Sequence, residues 1–133
     1  MAGSFSDYLE DKVLKHVFTN TAYTAPTTLY VGLFTVAPTD AGGGTEVSTS
    51  GTNYARQSMA FTVSGTSPTQ AANSSAVEWG TAASSWGTIV AAAVFDASSG
   101  GNMLAWADLT NNKTIAAGDV FRFPTSSFVV TLA

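Results

Sequence analysis

Few side chains in this chain are able to do chemistry, and their spacing rules out most of what those few could do. His16 is the single histidine, so a Ser-His-Asp relay or any imidazole base would have to be built on it. No serine stands in a nucleophile-elbow context. His16 instead closes a helical pattern, where a solvated, cation-capable side chain is favoured by the helix dipole. Cysteine is absent, which excludes thiol nucleophiles, disulfides and Cys-ligated zinc together. Gly42-Gly43-Gly44 looks like a phosphate cradle, but a P-loop continues into Lys-Ser/Thr and a helix, whereas Thr45-Glu46-Val47 follows here. Asp40 and Glu46 flank that loop, and Asp96, Asp108 and Asp119 lie at or near other turns. Such oxygens suit hard cations, yet no calcium-loop spacing joins them, and acids in turns ordinarily cap backbone amides. No pair of them is set apart as a glycosidase acid and base. Trp79, Trp86 and Trp106, with Tyr54, could line a saccharide platform; in a β-rich chain such rings are expected in the core. The expectation is a protein that is not an enzyme, with no catalytic residue, no metal ligand and no cofactor site.

The elements that would hold these residues are mostly short strands. Residues 28–36 form the organising stretch. Leu29, Val31 and Leu33 share one face, and Tyr30, Gly32 and Phe34 the other. Both faces are apolar, which predicts cover on both sides. Gly32, in mid-strand, predicts a bulge or a close approach by another group. Residues 86–95 form a second, nearly continuous apolar strand and a central partner for the first. Further strands are expected at 54–63, 76–79, 103–109, 120–123 and 128–132, with polar connections at 45–53 and 64–75. The segment Asp96 to Asn102 reads as a hairpin loop, and Asn111-Asn112-Lys113 and 116–119 as turns. Arg122 should face away from its neighbours Phe121 and Phe123.

Residues 4–18 read as an amphipathic helix. Ser4 or Ser6 can cap it, acids lead and Lys12, Lys15 and His16 follow, in the order that the macrodipole favours. Phe5, Leu9, Val13 and Val17 form the apolar stripe, broadened by Leu14 and Phe18. The stripe either packs on its own domain or docks on a neighbouring subunit, and these four residues are the candidate interface. The fold class expected is mainly β: an antiparallel β-sandwich or jelly roll with one N-terminal amphipathic helix. One β-sandwich domain over residues 1–133 is expected, with the helix at 4–18 and the β domain at 28–133.

Composition narrows the partners. Net charge is −4, and the five cations are Lys12, Lys15, Arg56, Lys113 and Arg122, of which only the first two are close in sequence. Nucleic acid and anionic membrane both require clustered cations, so neither is an expected partner. The amino-terminal segment has no basic and apolar signal pattern, and the run from Ile89 to Phe95 is too short to cross a bilayer. Charged residues are only 11% of the chain, against about 25% in typical domains. A surface of Ser, Thr, Ala and Gly carries few charges to desolvate, which suits burial against a partner.

Several pieces in fixed order carry a resemblance. They are residues 5–12 (Phe-Ser-Asp-Tyr-Leu-Glu-Asp-Lys), 29–35 (Leu-Tyr-Val-Gly-Leu-Phe-Thr), 38–47 (Pro-Thr-Asp-Ala-Gly-Gly-Gly-Thr-Glu-Val), Tyr54-Ala55-Arg56-Gln57, Trp86-Gly87-Thr88-Ile89 and Ala117-Gly118-Asp119. Together they resemble a family of small tailed-bacteriophage virion proteins, often labelled tail-fibre proteins. The Tyr-Ala-Arg-Gln and Trp-Gly-Thr pieces are the more specific ones. The resemblance implies a structural component located in the virion, with no catalytic residues to carry over. Two roles follow from it. A capsid cement or decoration protein would stabilise the head, with the major capsid protein and its own copies, as a homotrimer, for partners. A tail-fibre or receptor-binding module would contact the host surface. The sequence shows neither a coiled coil nor a repeat of the kind a fibre shaft uses, which favours the cement role.

Overall fold

A computed structural model describes residues 2–132; Met1 and Ala133, the outermost residues of the expected domain, lie outside them. The strands are β1 (Ala2–Phe5), β2 (Tyr30–Val36), β3 (Thr45–Glu46), β4 (Gln57–Ser58), β5 (Phe61–Ser64), β6 (Thr69–Asn73), β7 (Val77–Glu78), β8 (Gly87–Phe95), β9 (Met103–Ile115), β10 (Arg122–Phe123) and β11 (Val129–Leu132), with one helix, α1 (Asp7–Phe18). Nine strands form one sheet in the order β3-β2-β8-β9-β1-β11-β6-β5, with β4 also on β2, while β7 and β10 pair separately. All pairings are antiparallel except β1 with β11. The protein is mainly β with an antiparallel-dominated sheet, as expected, and the sheet closes no barrel.

β1 joins the two halves of that sheet. Ala2 and Gly3 run parallel to Val129 and Val130, and then Ser4 and Phe5 run antiparallel to Trp106 and Ala105. The crossing is close: a Cβ on Gly3 would stand 2.8 Å from the Trp106 carbonyl oxygen, so only glycine fits. Both halves feed one core. Val31, Leu33, Ile89, Ala92 and Val94 come from the β2–β8 side and Val130 from β11, with Trp79, Phe121, Phe123 and Phe128 among them. Four ring pairs in this group meet edge-on, at centroid distances of 5.1 to 5.8 Å, an arrangement that adds to simple burial. A smaller apolar layer covers the opposite face of β2 and β8, where Phe34 stacks on Phe95 beside Ala91 and Ala93. The two-sided apolar reading of residues 28–36 therefore holds. Strands β2 and β8 are interior, β8 between β2 and β9, and β2 between β8 and the short β3 and β4.

The structure corrects several expectations. The helix begins at Asp7 rather than residue 4, because Ser6 caps it: its Oγ accepts the Leu9 N–H at 3.2 Å. Residues before the cap pair as a strand, so Phe5 belongs to β1 and not to the helical stripe. The connection at 64–75 contains β6, whose Ala72 and Asn73 are buried. The Asn73 side chain donates to the Ser75 and Pro124 carbonyls and accepts the Phe128 N–H, which lets an amide occupy a core position. The polar connection at 45–53 opens on β3 and buries Val47 and Thr52. β9 runs on through Asn111-Asn112-Lys113, and the pairing slips there: Ile89 faces Lys113 while Ala91 faces Asp108.

Candidate functional site

Two features of the structure concentrate unusual residues: a polar cluster behind β2 and an apolar surface at α1. The polar cluster is built on Gly32. A Cβ at that position would lie 2.7 Å from Glu46 Oε2 and 3.2 Å from the Tyr54 hydroxyl. The missing side chain is the space that these two groups fill, which is the close approach expected of a mid-strand glycine. Glu46 on β3 receives Arg56 through two parallel bonds, Nε to Oε2 at 3.0 Å and Nη2 to Oε1 at 2.9 Å. This is the strong forked geometry of guanidinium on carboxylate. Arg56 Nη1 also donates to the Ala97 and Gly100 carbonyls in the β8–β9 loop. Its Cζ sits 3.6 Å from the centre of the Phe95 ring, a cation–π contact. Within the same loop, the Asp96 carboxylate accepts from the Asn102 N–H and side-chain amide. Burial opposes ionisation of Asp96, but the Asn102 bonds outweigh it and hold the carboxyl below its ordinary range.

The Tyr54 hydroxyl donates to Glu46 Oε2 at 2.7 Å and accepts the Leu33 N–H at 2.8 Å. Burial first, and then the bond to Glu46 and its charge, push the phenol far above the tyrosine range. The folded protein keeps a proton that the unfolded chain releases near pH 10. The resulting stabilisation is whole below that pH and is lost as pH rises beyond it. Tyr54→Phe leaves the buried Leu33 N–H without its acceptor, so a loss of about 1–2 kcal/mol at neutral pH is expected. The fall in stability above about pH 10 should also become shallower. Urea titrations at pH 7 and above pH 10 check both; identical curves for the two proteins would refute the assignment.

This cluster spends its polar atoms on tying the 44–58 segment and the 96–102 loop to the sheet. It is a structural staple, and it gives physical content to the Tyr-Ala-Arg-Gln piece of the sequence. The other residues singled out by type are dispersed. Trp79, Trp86 and Tyr54 are core side chains, as expected, while Trp106 is half-buried and donates through Nε1 to Asp40 Oδ1 at 2.8 Å. His16 accepts the Tyr23 N–H through Nδ1 at 3.3 Å on an exposed surface. Among the described residues, no three His, Cys, Asp or Glu side chains come together as metal ligands. Arg122 is exposed between the buried Phe121 and Phe123, as the alternation predicted.

The apolar surface starts at the root of α1. Ser6 fixes that root to β9 by donating through Oγ to the Met103 carbonyl at 2.6 Å and through its N–H to the Leu104 carbonyl at 2.8 Å. At the other end, Thr19 caps the Lys15 carbonyl through both its N–H and its Oγ. No residue of the helix is buried. Of the four candidate interface residues, Phe5 and Leu9 line a cavity of about 280 Å³ whose walls are wholly apolar. Val13 is half-buried and Val17 is exposed. The structure thus brings Phe5 and Leu9 together and leaves the stripe open beyond Val13. Sequence reasoning missed the far wall of the cavity, with Phe61 and Val63 of β5 and Val130 of β11. The signal was the Met59, Phe61, Val63 alternation: burial falls steadily along that face until Val63 is 69% exposed.

Comparison with known proteins bears on what such a molecule is. No curated protein matches the chain. The sequence profile of one family, described as podophage GP4 fiber I protein gp80, matches residues 4–131. That span takes in α1, the Gly32–Glu46–Tyr54–Arg56 staple and all of the sheet but the start of β1 and the end of β11. The chain belongs to this Gp80 family of phage fibre proteins, and is accordingly a structural protein of the bacteriophage virion.

Proposed function

We propose that the protein is a non-enzymatic subunit of the fibre apparatus of a tailed-phage virion, held there by protein–protein contacts and presenting its loops outward to the host. The observation that carries this reading is the family match to a fibre protein over nearly the whole described chain. The chemistry of the molecule supports it. The best-organised polar groups, Glu46, Tyr54, Arg56, Asp96 and Asn73, are committed to internal hydrogen bonds, which leaves them unsuited to turning over a substrate. The low charge content suits extended contact with another virion protein.

The capsid cement role is a second reading, favoured by the exposed apolar side chains of α1, with the major capsid protein as the surface they would cover. Phage particles lacking the protein separate the two. Loss of adsorption with heads that withstand heat and low ionic strength is the outcome expected for a fibre subunit. Heads that burst under that treatment while adsorption stays normal would transfer the protein to the capsid. Copy number per particle checks the result independently: a handful fits the fibre, hundreds the shell.

A further inference from the structure

We infer that the cavity of about 220 Å³ between a bulge of β9 and the turn after β10 binds an acidic saccharide unit, a sugar ring that carries a carboxylate. That this sugar stands on the host surface rests on the fibre reading above; the site itself does not. The observation behind it is a convergence of charge. Of the five cations, Lys15 pairs with Asp11, Arg56 pairs with Glu46, and Lys12 lies over the Tyr8 ring. Lys113 and Arg122 have no such partner among the described residues, and both line this cavity, which no acid lines. Glu78 stands opposite Arg122 in the β7–β10 pair, yet the two form no ion pair. In a chain of net charge −4, the cavity is a local reversal of sign.

The fold builds both walls. On one side, Ile89 to Ala91 of β8 spans Lys113 to Asp108 of β9, so β9 bulges outward there and carries Leu109, Thr110 and Asn111 to the cavity rim. Bulges of this kind re-aim side chains and gather beside functional sites. On the other side, Arg122 is exposed between the buried Phe121 and Phe123, which fix the backbone that carries it. The turn that follows is closed by the Ser127 hydroxyl, which donates to the Pro124 carbonyl at 2.7 Å, and is tied to β6 by the Asn73 amide on the same carbonyl. A wall that is already ordered has little entropy to lose on binding. The guanidinium fork suits a carboxylate and the Lys113 ammonium adds a point charge. Thr110 and Asn111, both exposed, offer a hydroxyl and an amide to sugar hydroxyls. Leu109 and Pro124 offer an apolar surface to the C–H face of a ring. A cavity of about 150 Å³ takes a benzene ring, so one sugar ring fills this one. Nucleic acid is a poor fit, because it calls for a track of cations rather than two in one pocket.

An NMR titration of the intact protein with glucuronate, glucose and inorganic phosphate tests this. Glucuronate is expected to move the resonances of Asn111, Lys113 and Arg122 with a dissociation constant on the order of 1 mM, ordinary for a ligand of that size. Glucose and phosphate should each bind at least about 10-fold more weakly. Arg122→Gln and Lys113→Gln should each weaken glucuronate by about 10-fold. Both positions are exposed, so melting temperatures should stay within about 2 °C of the parent. Lys12→Gln, on α1 and outside the cavity, should change nothing, which separates a site from overall charge. Resonances unmoved by about 50 mM glucuronate, or glucuronate binding untouched by both cavity variants, overturn the inference. Phosphate as tight as glucuronate overturns the saccharide and leaves a bare anion site; glucose as tight overturns the role of the cations. Phage carrying Arg122→Gln should adsorb more slowly. Normal adsorption by that phage, where phage lacking the protein fail to adsorb, removes the ligand from the host and leaves the fibre reading standing. Normal adsorption without the protein removes the fibre reading, and the glucuronate titration still decides the site.

Discussion

Arg56→Met is expected to destabilise the protein by about 3–5 kcal/mol, the cost of leaving a partly buried carboxylate without its counter-charge. Arg56 is 9% exposed and Glu46 25%, so water cannot substitute for the lost partner as it would at a surface pair. The substitution also frees the Ala97 and Gly100 carbonyls and removes the guanidinium from the Phe95 ring. Methionine keeps much of the aliphatic contact, so the loss reports polar interactions rather than volume. Adding Glu46→Leu to Arg56→Met should recover part of the stability, because the orphaned charge is gone, but not all of it, because the 96–102 loop stays unpinned. Urea denaturation of the parent, both single variants and the pair gives the coupling directly. A loss under about 1 kcal/mol for Arg56→Met would mean that the pair is screened like an ordinary surface bridge. Glu46 and Arg56 lie within the matched family span, so the same variant measures whether that part of the sequence serves folding.

How much of this was legible in the chain depended on how local its signals were. β2 and β8 were readable because seven and nine residues of near-continuous apolar character leave only the interior of a sheet as a home. The β8–β9 hairpin was readable from the polar, glycine-bearing Asp96–Asn102 stretch. β6 was not, because Thr-Gln-Ala-Ala-Asn carries almost no hydrophobic pattern; what makes it a strand is pairing with β5 and β11, and β11 lies some 60 residues away. β1 was hidden for the same reason, its four residues being defined by partners at 105–106 and 129–130. Capping chemistry pointed to Ser4 or Ser6 as the helix start; the bond from the Leu9 N–H to Ser6 Oγ decides for Ser6, which the Met103 and Leu104 carbonyls also hold in place. The staple was half visible. Gly32 announced that something approaches it closely, but the identity of Glu46 and Tyr54 required two segments to fold back across β2. The helical stripe was readable as a stripe, whereas its groove needed β5, β9 and β11 in three dimensions.

Trp79→Ala should cost about 3–5 kcal/mol, the range for removing a buried large aromatic side chain, and Trp79→Phe much less. Trp79 is 1% exposed and meets Phe121 and Phe123 edge-on at 5.4 and 5.8 Å. Phe123 in turn meets Phe128, which is fully buried and meets Phe61 at 6.1 Å. An alanine would open a cavity in the middle of this chain of rings, which cannot collapse without moving β10 and the 124–128 turn that Asn73 holds. The indole N–H is buried and finds no hydrogen-bond acceptor among the described residues. Phenylalanine therefore gives up no hydrogen bond: it loses part of a ring's packing while removing a donor that was costly to bury. The expected loss for Trp79→Phe is about 1–2 kcal/mol, against the larger figure for alanine. At roughly 3–4 °C per kcal/mol for a domain of this size, the alanine variant should melt about 10–20 °C below the parent and the phenylalanine variant only a few degrees below. Equal losses for the two would mean that the indole N–H has a partner, such as a buried water, and that the core is held there by a polar contact and not by packing alone.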